Sequence, residues 1–351
     1  MTAFPVIDGH NDTLLRCRRD PDPVATFLNE GSDGHLDLPR ALAGGLRGGF
    51  FAVFVPSPGG RPRFRTTATG WEAPLDPPVD PGYARTFADA SIDLFAVLEA
   101  QSDGRFRAAR TADAMEAGLA RDGVSAILHF EGAEAIDDRR IDEDLDAWYA
   151  RGLRSLGIVW SRPNAYGHGV PFRFPSPPDI GEGLTAAGRR LVKACNRRGI
   201  LLDLAHLNAA GFRDVARLSS APLVVTHACA HALCPTSRNL TDQQLAAIRA
   251  SGGMVGVNFH TGDLDPAGPR DADTPLRTIV RHIDYLVDHL GIEGVGFGSD
   301  FDGARIPDDV GDVRGLPLLV DALHNHGYDD GALARLTHRN WLRILNLTWP
   351  S

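Results

Sequence analysis

A histidine and an aspartate with the spacing of metal ligands stand near the start of the chain. The apolar residues Val6 and Ile7 lead into His10 and Asp12 in the segment VIDGHND. In a strand, side chains two residues apart point to the same face, so the imidazole and the carboxylate reach into one space. Histidine nitrogen and carboxylate oxygen are ligands that zinc accepts. The pair predicts a metal site at the end of a buried strand.

Four further residues that can bind or serve a metal end other apolar runs. They are Glu131 in HFEG, His206 in DLAH, His227 in VTHA and Asp300 in GSDFDG. Any one of them alone is better explained as a hydrogen-bonded residue of the core. Burying so many ionisable groups without partners costs several kcal/mol each, and metal ions are the simplest partners for the whole set.

The size of this set predicts two metal ions. One tetrahedral zinc with an open position needs three protein ligands, whereas five or six ligands fit a pair of ions. Some barrel hydrolases bridge their metals with a carboxylated lysine, but Lys193, the only lysine here, lies in a predicted helix away from the strand ends. We therefore expect Glu131 to bridge the two metal ions together with a water or hydroxide.

Eight apolar runs alternate with helical patterns and supply the elements that position these residues. Such near-continuous runs suit strands that are buried on both faces. The alternation predicts an α/β protein with a (β/α)8 TIM barrel, in which the strand ends meet at one mouth; an open doubly wound sheet is the alternative. The runs are 4–8, 50–55, 125–131, 155–160, 200–206, 223–228, 254–259 and 295–301, and the clearest helices are 83–101, 184–198, 241–251, 275–290 and a closing helix at 331–346.

Three long connections rich in proline and glycine follow the second, fourth and seventh runs. They cover 56–82, 161–183 and 260–274. In a barrel all three lie at the C-terminal face, where active sites are built. No linker divides the chain, so we expect residues 1–351 to form a single domain.

The charge composition of the chain argues against some classes of binding partner. The chain has 351 residues, a net charge of −9 and no basic stretch, which argues against nucleic acid or an anionic membrane as a partner. It contains no apolar run long enough to form a transmembrane helix. Its four cysteines are irregularly spaced, as in reduced proteins, and we expect a cytoplasmic location.

Five segments together resemble the renal (membrane) dipeptidase family, peptidase family M19, of the amidohydrolase superfamily. They are DGHND, FEGAEAI, DLAH, VVTHACAHALCPTSRNL and GFGSDFDG, and they cover nearly the whole chain. The resemblance implies a (β/α)8 barrel, a binuclear zinc centre and the hydrolysis of dipeptides. It also favours a homodimer.

The resemblance assigns a role to each matching position. His10, Asp12 and Glu131 would bind one zinc, and Glu131, His206 and His227 the other. Asp300 would take a proton from the bridging water and pass it to the leaving amine, as a carboxylate beside a metal-bridging hydroxide can. Arg238 would bind the substrate carboxylate through two parallel hydrogen bonds, a grip that favours dipeptides over longer chains.

One position departs from the family pattern. Mammalian members have a histidine after the fourth strand that helps to polarise the scissile carbonyl, and here Trp160 takes its place. The carbonyl would then depend on the metal alone, on Asn164 or on a loop histidine such as His168, while Trp160 forms a pocket wall. His260, at the end of the seventh run, is a further expected substrate contact.

We therefore predict a zinc-dependent dipeptidase, with the stereochemistry of the C-terminal residue left open. One alternative is a binuclear metal amidohydrolase that acts on N-acyl amino acids or lactams. Another is a non-catalytic metal-binding barrel, against which the presence of Asp300 and Arg238 counts. We interpret His129 and Asp203 as core or supporting residues rather than as ligands.

Overall fold

A closed barrel of eight parallel strands forms the centre of the protein. The computed structural model describes residues 4–31, 33–60, 62–267 and 272–350. Each strand pairs with its neighbours in chain order, β8 returns to β1, and β2 pairs with β3 to complete the circle. The predicted (β/α)8 barrel is confirmed, and the open sheet is excluded. The strands are β1 (Val6–Asn11), β2 (Leu46–Phe54), β3 (Val124–Glu131), β4 (Leu153–Gly157), β5 (Leu201–Asp203), β6 (Val224–Ala228), β7 (Met254–Val257) and β8 (Val295–Phe297).

Several strands end earlier than their apolar runs. The strand β4 ends at Gly157, whereas its apolar run is 155–160. The strands β5 and β8 end at Asp203 and Phe297, whereas their runs are 200–206 and 295–301. In contrast, β3 is buried at all eight residues and pairs with β2 in register up to Phe54 and Glu131. Residues predicted to end the shorter strands therefore lie on the loops that follow them.

The helices surround the barrel, and several of them begin at side-chain caps. Thr241 and Gln244 form a capping box at the start of one predicted helix, in which each side chain accepts a hydrogen bond from the backbone of the other residue. The closing segment is divided into two helices by a π-helical turn, Arg335–Arg339. The α-helices are Thr13–Cys17, Pro23–Leu28, Leu38–Ala43, Pro81–Gln101, Ala112–Leu119, Ile141–Ala150, Ala186–Arg198, Ala209–Leu218, Asp242–Ala250, Thr261–Leu264, Arg277–Leu290, Leu316–His326, Asp330–Ala334 and Asn340–Thr348, with 3-10 turns at Ile292–Gly294 and Val313–Gly315. Among the described residues, no helix combines the length and apolarity that crossing a membrane requires.

Two of the long connections pair with each other. The strands Arg65–Thr66 and Trp71–Glu72 from 56–82 join Arg173–Phe174 from 161–183 in a small antiparallel sheet, which we call the loop sheet. The connection 260–274 begins with the helix Thr261–Leu264, and its residues 268–271 lie outside the described ones. A further strand, Phe106–Ala108, pairs with the beginning of β3.

An apolar cluster fills the end of the barrel at which the strands begin, and we call it the floor cluster. Trp341 from the last helix stands at its centre, packs against Phe50 at 4.9 Å between ring centroids, and donates its indole N–H to the Phe297 carbonyl at 3.1 Å. Gly9 on β1 leaves room for this indole, since a Cβ there would overlap the ring. The cluster comprises Ile7, Phe50, Ala109, Ala112, Met115, Ile127, Leu201, Val224, Met254, Trp341, Ile344, Leu345 and Trp349.

Candidate metal centre

The predicted ligands converge at the other end of the barrel. One carboxylate oxygen of Glu131 lies 2.9 Å from Nε2 of His206 and 3.7 Å from Nε2 of both His10 and His227. His10 Nε2 is also 3.7 Å from a carboxylate oxygen of Asp12. Two triads have ligand atoms within 4.8 Å of one another, His10–Glu131–His227 and His10–Asp12–Asp300. We call the six residues the mouth cluster: His10, Asp12, Glu131, His206, His227 and Asp300.

Backbone hydrogen bonds join β1 to the loop that follows β8 at this cluster. His10 lies on β1, and Asp12 directly follows the strand, with its N–H donated to Phe301 at 2.8 Å. The N–H of Asp300 in turn donates to the His10 carbonyl at 3.0 Å. His206 and Asp300 have left-handed backbones, with φ of 64° and 62°, a conformation uncommon in residues other than glycine. Strain of this kind is typical of residues that a functional site must aim.

Hydroxyl groups orient two of the imidazoles. His206 Nδ1 lies 2.8 Å from the Ser161 hydroxyl, and His227 Nδ1 lies 2.9 Å from the Thr226 hydroxyl, which itself donates to Asp203 at 2.7 Å. A proton on each Nδ1 satisfies these contacts and leaves the Nε2 lone pairs for a metal. The two Nε2 atoms face each other at 3.1 Å, where two lone pairs require a cation or a shared proton between them.

Burial and mutual charge control the protonation of the mouth cluster. Burial lowers the pKa of His206 and His227 well below the usual value, which favours neutral imidazoles. Burial also disfavours the charged form of His10, but the carboxylates of Glu131 and Asp12 outweigh it and raise the pKa of His10 to about 10. The pKa of Glu131 is raised well above its usual range by burial. Without a metal, the site thus retains protons to balance its own charges.

The buried atoms of this cluster fit metal coordination. Within the described part of the chain, His10 Nε2, Asp12 Oδ1 and Glu131 Oε2 are buried and make no hydrogen bond. Buried polar atoms are normally satisfied, so unpaired atoms on neighbouring residues of one cluster indicate a ligand. Imidazole and carboxylate donors suit zinc, and one oxygen of Glu131 faces three imidazoles.

Asp300 lies beside the ligands and is held by a neighbour on the next loop. Its carboxylate accepts a hydrogen bond from the Asn258 amide at 3.2 Å. Loss of water raises the pKa of Asp300, although the positive charge of His10 opposes this. Gly303 closes over the same carboxylates, because a Cβ at this position would overlap oxygens of both Asp12 and Asp300.

An aromatic wall borders the cluster on the β4 side. Trp160 packs against Phe54, Phe172 and His206, with ring centroids 4.8, 5.4 and 5.9 Å apart. Arg162 lies behind it, fully buried, and its guanidinium donates to Glu134 at 3.0 Å. The side chain that replaces the family histidine therefore stands next to a metal-ligand candidate.

The other predicted substrate contacts have different surroundings. Arg238 is buried, and its guanidinium donates to the His227 carbonyl at 3.2 Å. His260 is buried, and its Nδ1 lies 3.0 Å from Asp263. Asn164 points into its own loop instead, where its amide donates to the Ile158 carbonyl at 2.8 Å and accepts backbone N–H groups. Its side chain is thus used to shape the β4 loop.

Sequence reasoning missed Ser161, Asn258 and Gly303. Each touches a mouth residue that is more than 40 positions away or on another loop, so no local spacing reveals it. Thr226 and Asp203 could have been found from local spacing. Thr226 directly precedes His227, and Asp203 belongs to the DLAH segment. Their hydrogen bonds show why Asp203, interpreted as a supporting residue, is buried so close to the ligands.

A family model described as membrane dipeptidase, peptidase family M19, matches residues 1–348. A solved structure described as dipeptidase AC, a metallopeptidase of family M19, is 50% identical with a TM-score of 0.94, over 99% of this chain and 100% of that chain. A Rhodobacter sphaeroides metallopeptidase, liganded with a phosphinate mimic of the dipeptide L-Ala-D-Ala, is 49% identical with the same TM-score of 0.94 and the same coverage of 99% and 100%.

A bacterial protein is similar to most of this chain in sequence. A Klebsiella pneumoniae protein encoded in the pqqA 5′ region is 49% identical over 252 residues, which are 72% of this chain and 92% of that protein. The similarity to the solved structures extends over the barrel and over the loops at its mouth.

Proposed function

The chain belongs to the membrane dipeptidase family, peptidase family M19, and is a metallo-dipeptidase, and from that premise we propose how its own residues perform the reaction. One observation carries the proposal: a single oxygen of Glu131 lies within 3.7 Å of the Nε2 atoms of three histidines. The proposed ligands of two zinc ions are His10, Asp12 and Glu131 for one, and Glu131, His206 and His227 for the other.

The ligand side chains are prepared for this task by their surroundings. Burial keeps His206 and His227 neutral, and the hydroxyls of Ser161 and Thr226 fix their rings. Zinc bound here would acidify a water molecule and polarise the scissile carbonyl. Since Trp160 stands where the family has a polarising histidine, we assign that task to the metal and assign Trp160 to the pocket wall.

Asp300 is the proposed proton carrier. Its carboxylate lies in the same triad as His10 and Asp12, and Asn258 holds one of its oxygens. In this position it would accept a proton from the attacking water and deliver it to the nitrogen of the leaving amino acid. Its raised pKa makes the carboxylate a better proton acceptor, which favours the first of these two transfers.

Arg238 is the proposed anchor for the C-terminal carboxylate of the substrate. It is buried, and its hydrogen bond to the His227 carbonyl holds the guanidinium at a fixed distance from the proposed metal ligands. A guanidinium grips a carboxylate through two parallel hydrogen bonds, so the separation of Arg238 from the ligands would select dipeptides by length. Trp160 and His260 complete the proposed substrate contacts, whereas Asn164 shapes the loop.

We propose that the C-terminal residue of the substrate is accepted in the D as well as the L configuration. The support is the Rhodobacter sphaeroides relative, which is liganded with an L-Ala-D-Ala mimic and is 49% identical to this chain. The test is a library of L-Xaa-L-Xaa and L-Xaa-D-Xaa dipeptides, incubated with zinc-loaded protein whose metal content has been measured, with release of free amino acids as the readout.

Hydrolysis of both series is the expected result. Hydrolysis of L-Xaa-L-Xaa alone would remove the D-residue proposal but leave the dipeptidase. If two metals are present and no dipeptide is cleaved, N-acyl amino acids and lactams are the next substrates to test. Failure with every amide would leave a non-catalytic metal-binding barrel.

We also propose the domain organisation, the cellular location and the oligomeric state of the protein. A single domain over residues 1–351 is supported by the family match to 1–348 and by one closed barrel. A cytoplasmic location is supported by four free, buried cysteines. A homodimer is supported by the family resemblance, and light scattering coupled to gel filtration tests it.

A further inference from the structure

A buried histidine–aspartate pair lies beside the mouth cluster, between the proposed carboxylate anchor and the proposed proton carrier. His260 Nδ1 lies 3.0 Å from a carboxylate oxygen of Asp263, and both residues are at least 96% buried, with 4% and 2% of their surfaces exposed. The other ring nitrogen, Nε2, is buried and makes no hydrogen bond to any described residue. A buried nitrogen without a partner is costly and indicates that a ligand completes it.

Asp263 is fastened to the segment that carries Arg238. Its second carboxylate oxygen accepts the hydroxyl of Thr236 at 2.8 Å, and its backbone carbonyl accepts the amide of Asn239 at 2.8 Å. These two residues flank Arg238 in the chain. The pair is therefore positioned by the same loop as the proposed carboxylate anchor.

Asn258 fastens the pair to Asp300. Its side-chain oxygen accepts the backbone N–H of His260 at 2.7 Å, while its amide donates to the Asp300 carboxylate at 3.2 Å. Hydrogen bonds thus connect His260 through Asn258 to Asp300 and through Asp263 to the segment of Arg238. In a dipeptide, the atoms near these two groups belong to the C-terminal residue, since Arg238 takes its carboxylate and Asp300 its amine.

We propose that His260 is a second anchor for the C-terminal carboxylate of the substrate, with Nε2–H donated to that carboxylate and Nδ1–H donated to Asp263, which is its positioning residue. The inference rests on the proposed dipeptidase function. Hydrogen bonds donated to an ionised carboxylate are among the stronger ones in proteins. His260 also lowers the pKa of Asp263 to about 2 despite the burial of that carboxylate, which keeps the partner ionised.

The pair would make the site specific for a free carboxylate. Removal of the donor leaves binding to Arg238 alone, whereas a substrate with a C-terminal carboxamide never forms the charged contact. The effect should therefore appear in the affinity for free dipeptides and not in the chemical step.

The test compares His260→Ala, Asp263→Asn and the double variant with wild type, using one dipeptide and its C-terminal amide. The exposed His324, on the helix Leu316–His326, supplies the control His324→Ala. We expect His260→Ala to raise KM for the free dipeptide about tenfold or more, as for loss of a charge-assisted hydrogen bond. KM for the amide, kcat and metal content should stay within about twofold of wild type.

Asp263→Asn should give a smaller rise, and it should add nothing in the His260→Ala background, because it acts through the histidine. Equal changes for dipeptide and amide, or a fall in kcat on both, would overturn the carboxylate contact. Full additivity of the two substitutions would overturn the positioning role of Asp263.

A binding measurement separates this inference from the proposed function. Calorimetric titration with a phosphinate dipeptide analogue, with a free carboxylate or as its C-terminal amide, needs no turnover. If wild type binds the analogue but cleaves no dipeptide, the proposed function fails and the affinity series still decides the role of His260. An unchanged dissociation constant in His260→Ala would overturn the inference even if dipeptides are cleaved.

Discussion

The two ends of the barrel interior are filled with opposite kinds of side chain. The floor cluster is apolar, and its central indole, Trp341, donates its N–H to the Phe297 carbonyl. The mouth cluster is ionisable throughout, and its buried atoms His10 Nε2, Asp12 Oδ1 and Glu131 Oε2 make no hydrogen bond to the described residues. Strands of the one barrel contribute to both clusters, Ile7 and His10 on β1 and Ile127 and Glu131 on β3 among them.

The floor cluster contributes mainly to the stability of the protein, and the mouth cluster contributes mainly to its function. Apolar burial at the floor favours folding without any ligand. The mouth violates the rule that buried polar atoms are paired, and such violations are expected at functional sites. We therefore expect substitutions at the floor to change the free energy of unfolding and substitutions at the mouth to change turnover or metal binding.

The largest effect on turnover is expected at Asp300. Asp300→Asn preserves the shape of the side chain but cannot accept a proton, so kcat should fall about a thousandfold, within the range for general acid–base catalysis. Metal content by mass spectrometry and the unfolding midpoint should match wild type. The exposed Asp308 supplies the control Asp308→Asn. Turnover near the wild-type rate would remove the proton-carrier role.

The largest effect on stability is expected at the floor. Trp341→Ala should lower the free energy of unfolding by about 3–5 kcal/mol, because it removes a fully buried indole and leaves a cavity. The measurements are denaturant unfolding and kcat of the folded protein. Trp341→Phe is the milder matched variant. A large loss of kcat in still-folded Trp341→Ala would show that the two ends are coupled.

A smaller effect is expected where a hydroxyl supports a ligand. Thr226→Val removes the group that links His227 Nδ1 to Asp203, and it should weaken metal binding about 10- to 100-fold, as for other outer partners of metal ligands. Competition with a chelator of known affinity measures this. Thr86→Val, on the exposed side of the helix Pro81–Gln101, is the control. Unchanged affinity would show that the ring of His227 is held by packing alone.

Metal binding at the mouth cluster is expected to release protons. The pKa of His10 without metal is raised to about 10, so at pH 7 this imidazole is protonated and must release its proton to bind a metal. Metal affinity should therefore rise with pH, by up to about tenfold per unit for each proton released below that pKa. Titration calorimetry in two buffers with different ionisation enthalpies counts the protons. Trp341→Phe should release the same number, and absence of release at pH 7 would contradict the prediction.

The sequence predicted the barrel because buried parallel strands are readable as apolar runs. It misjudged where strands end, since Ile158, Val159 and Leu204 continue the apolar pattern after pairing stops. The two-residue strands of the loop sheet were missed because a segment of two residues has no periodicity. The π-helical turn in the closing segment likewise leaves no signal in the spacing of apolar residues.

The positions of the mouth residues could be predicted because their types are rare at strand ends. The left-handed backbones of His206 and Asp300 could not, since the pattern of neighbours does not encode φ. Contacts such as Ser161 with His206 depend on which loops meet in space. Sequence thus indicated which residues form the site, and the fold determines which neighbours orient them.

The loop sheet has a consequence for the redesign of this enzyme. Its strands Trp71–Glu72 and Arg173–Phe174 come from connections about 100 residues apart, and Phe172 beside them contacts both Trp160 and His206. The Arg173 carbonyl also accepts the N–H of Ser237, the neighbour of Arg238. The rim of the pocket is therefore one shared structure, and a graft that aims to change the accepted substrates must exchange residues 56–82 and 161–183 as a unit.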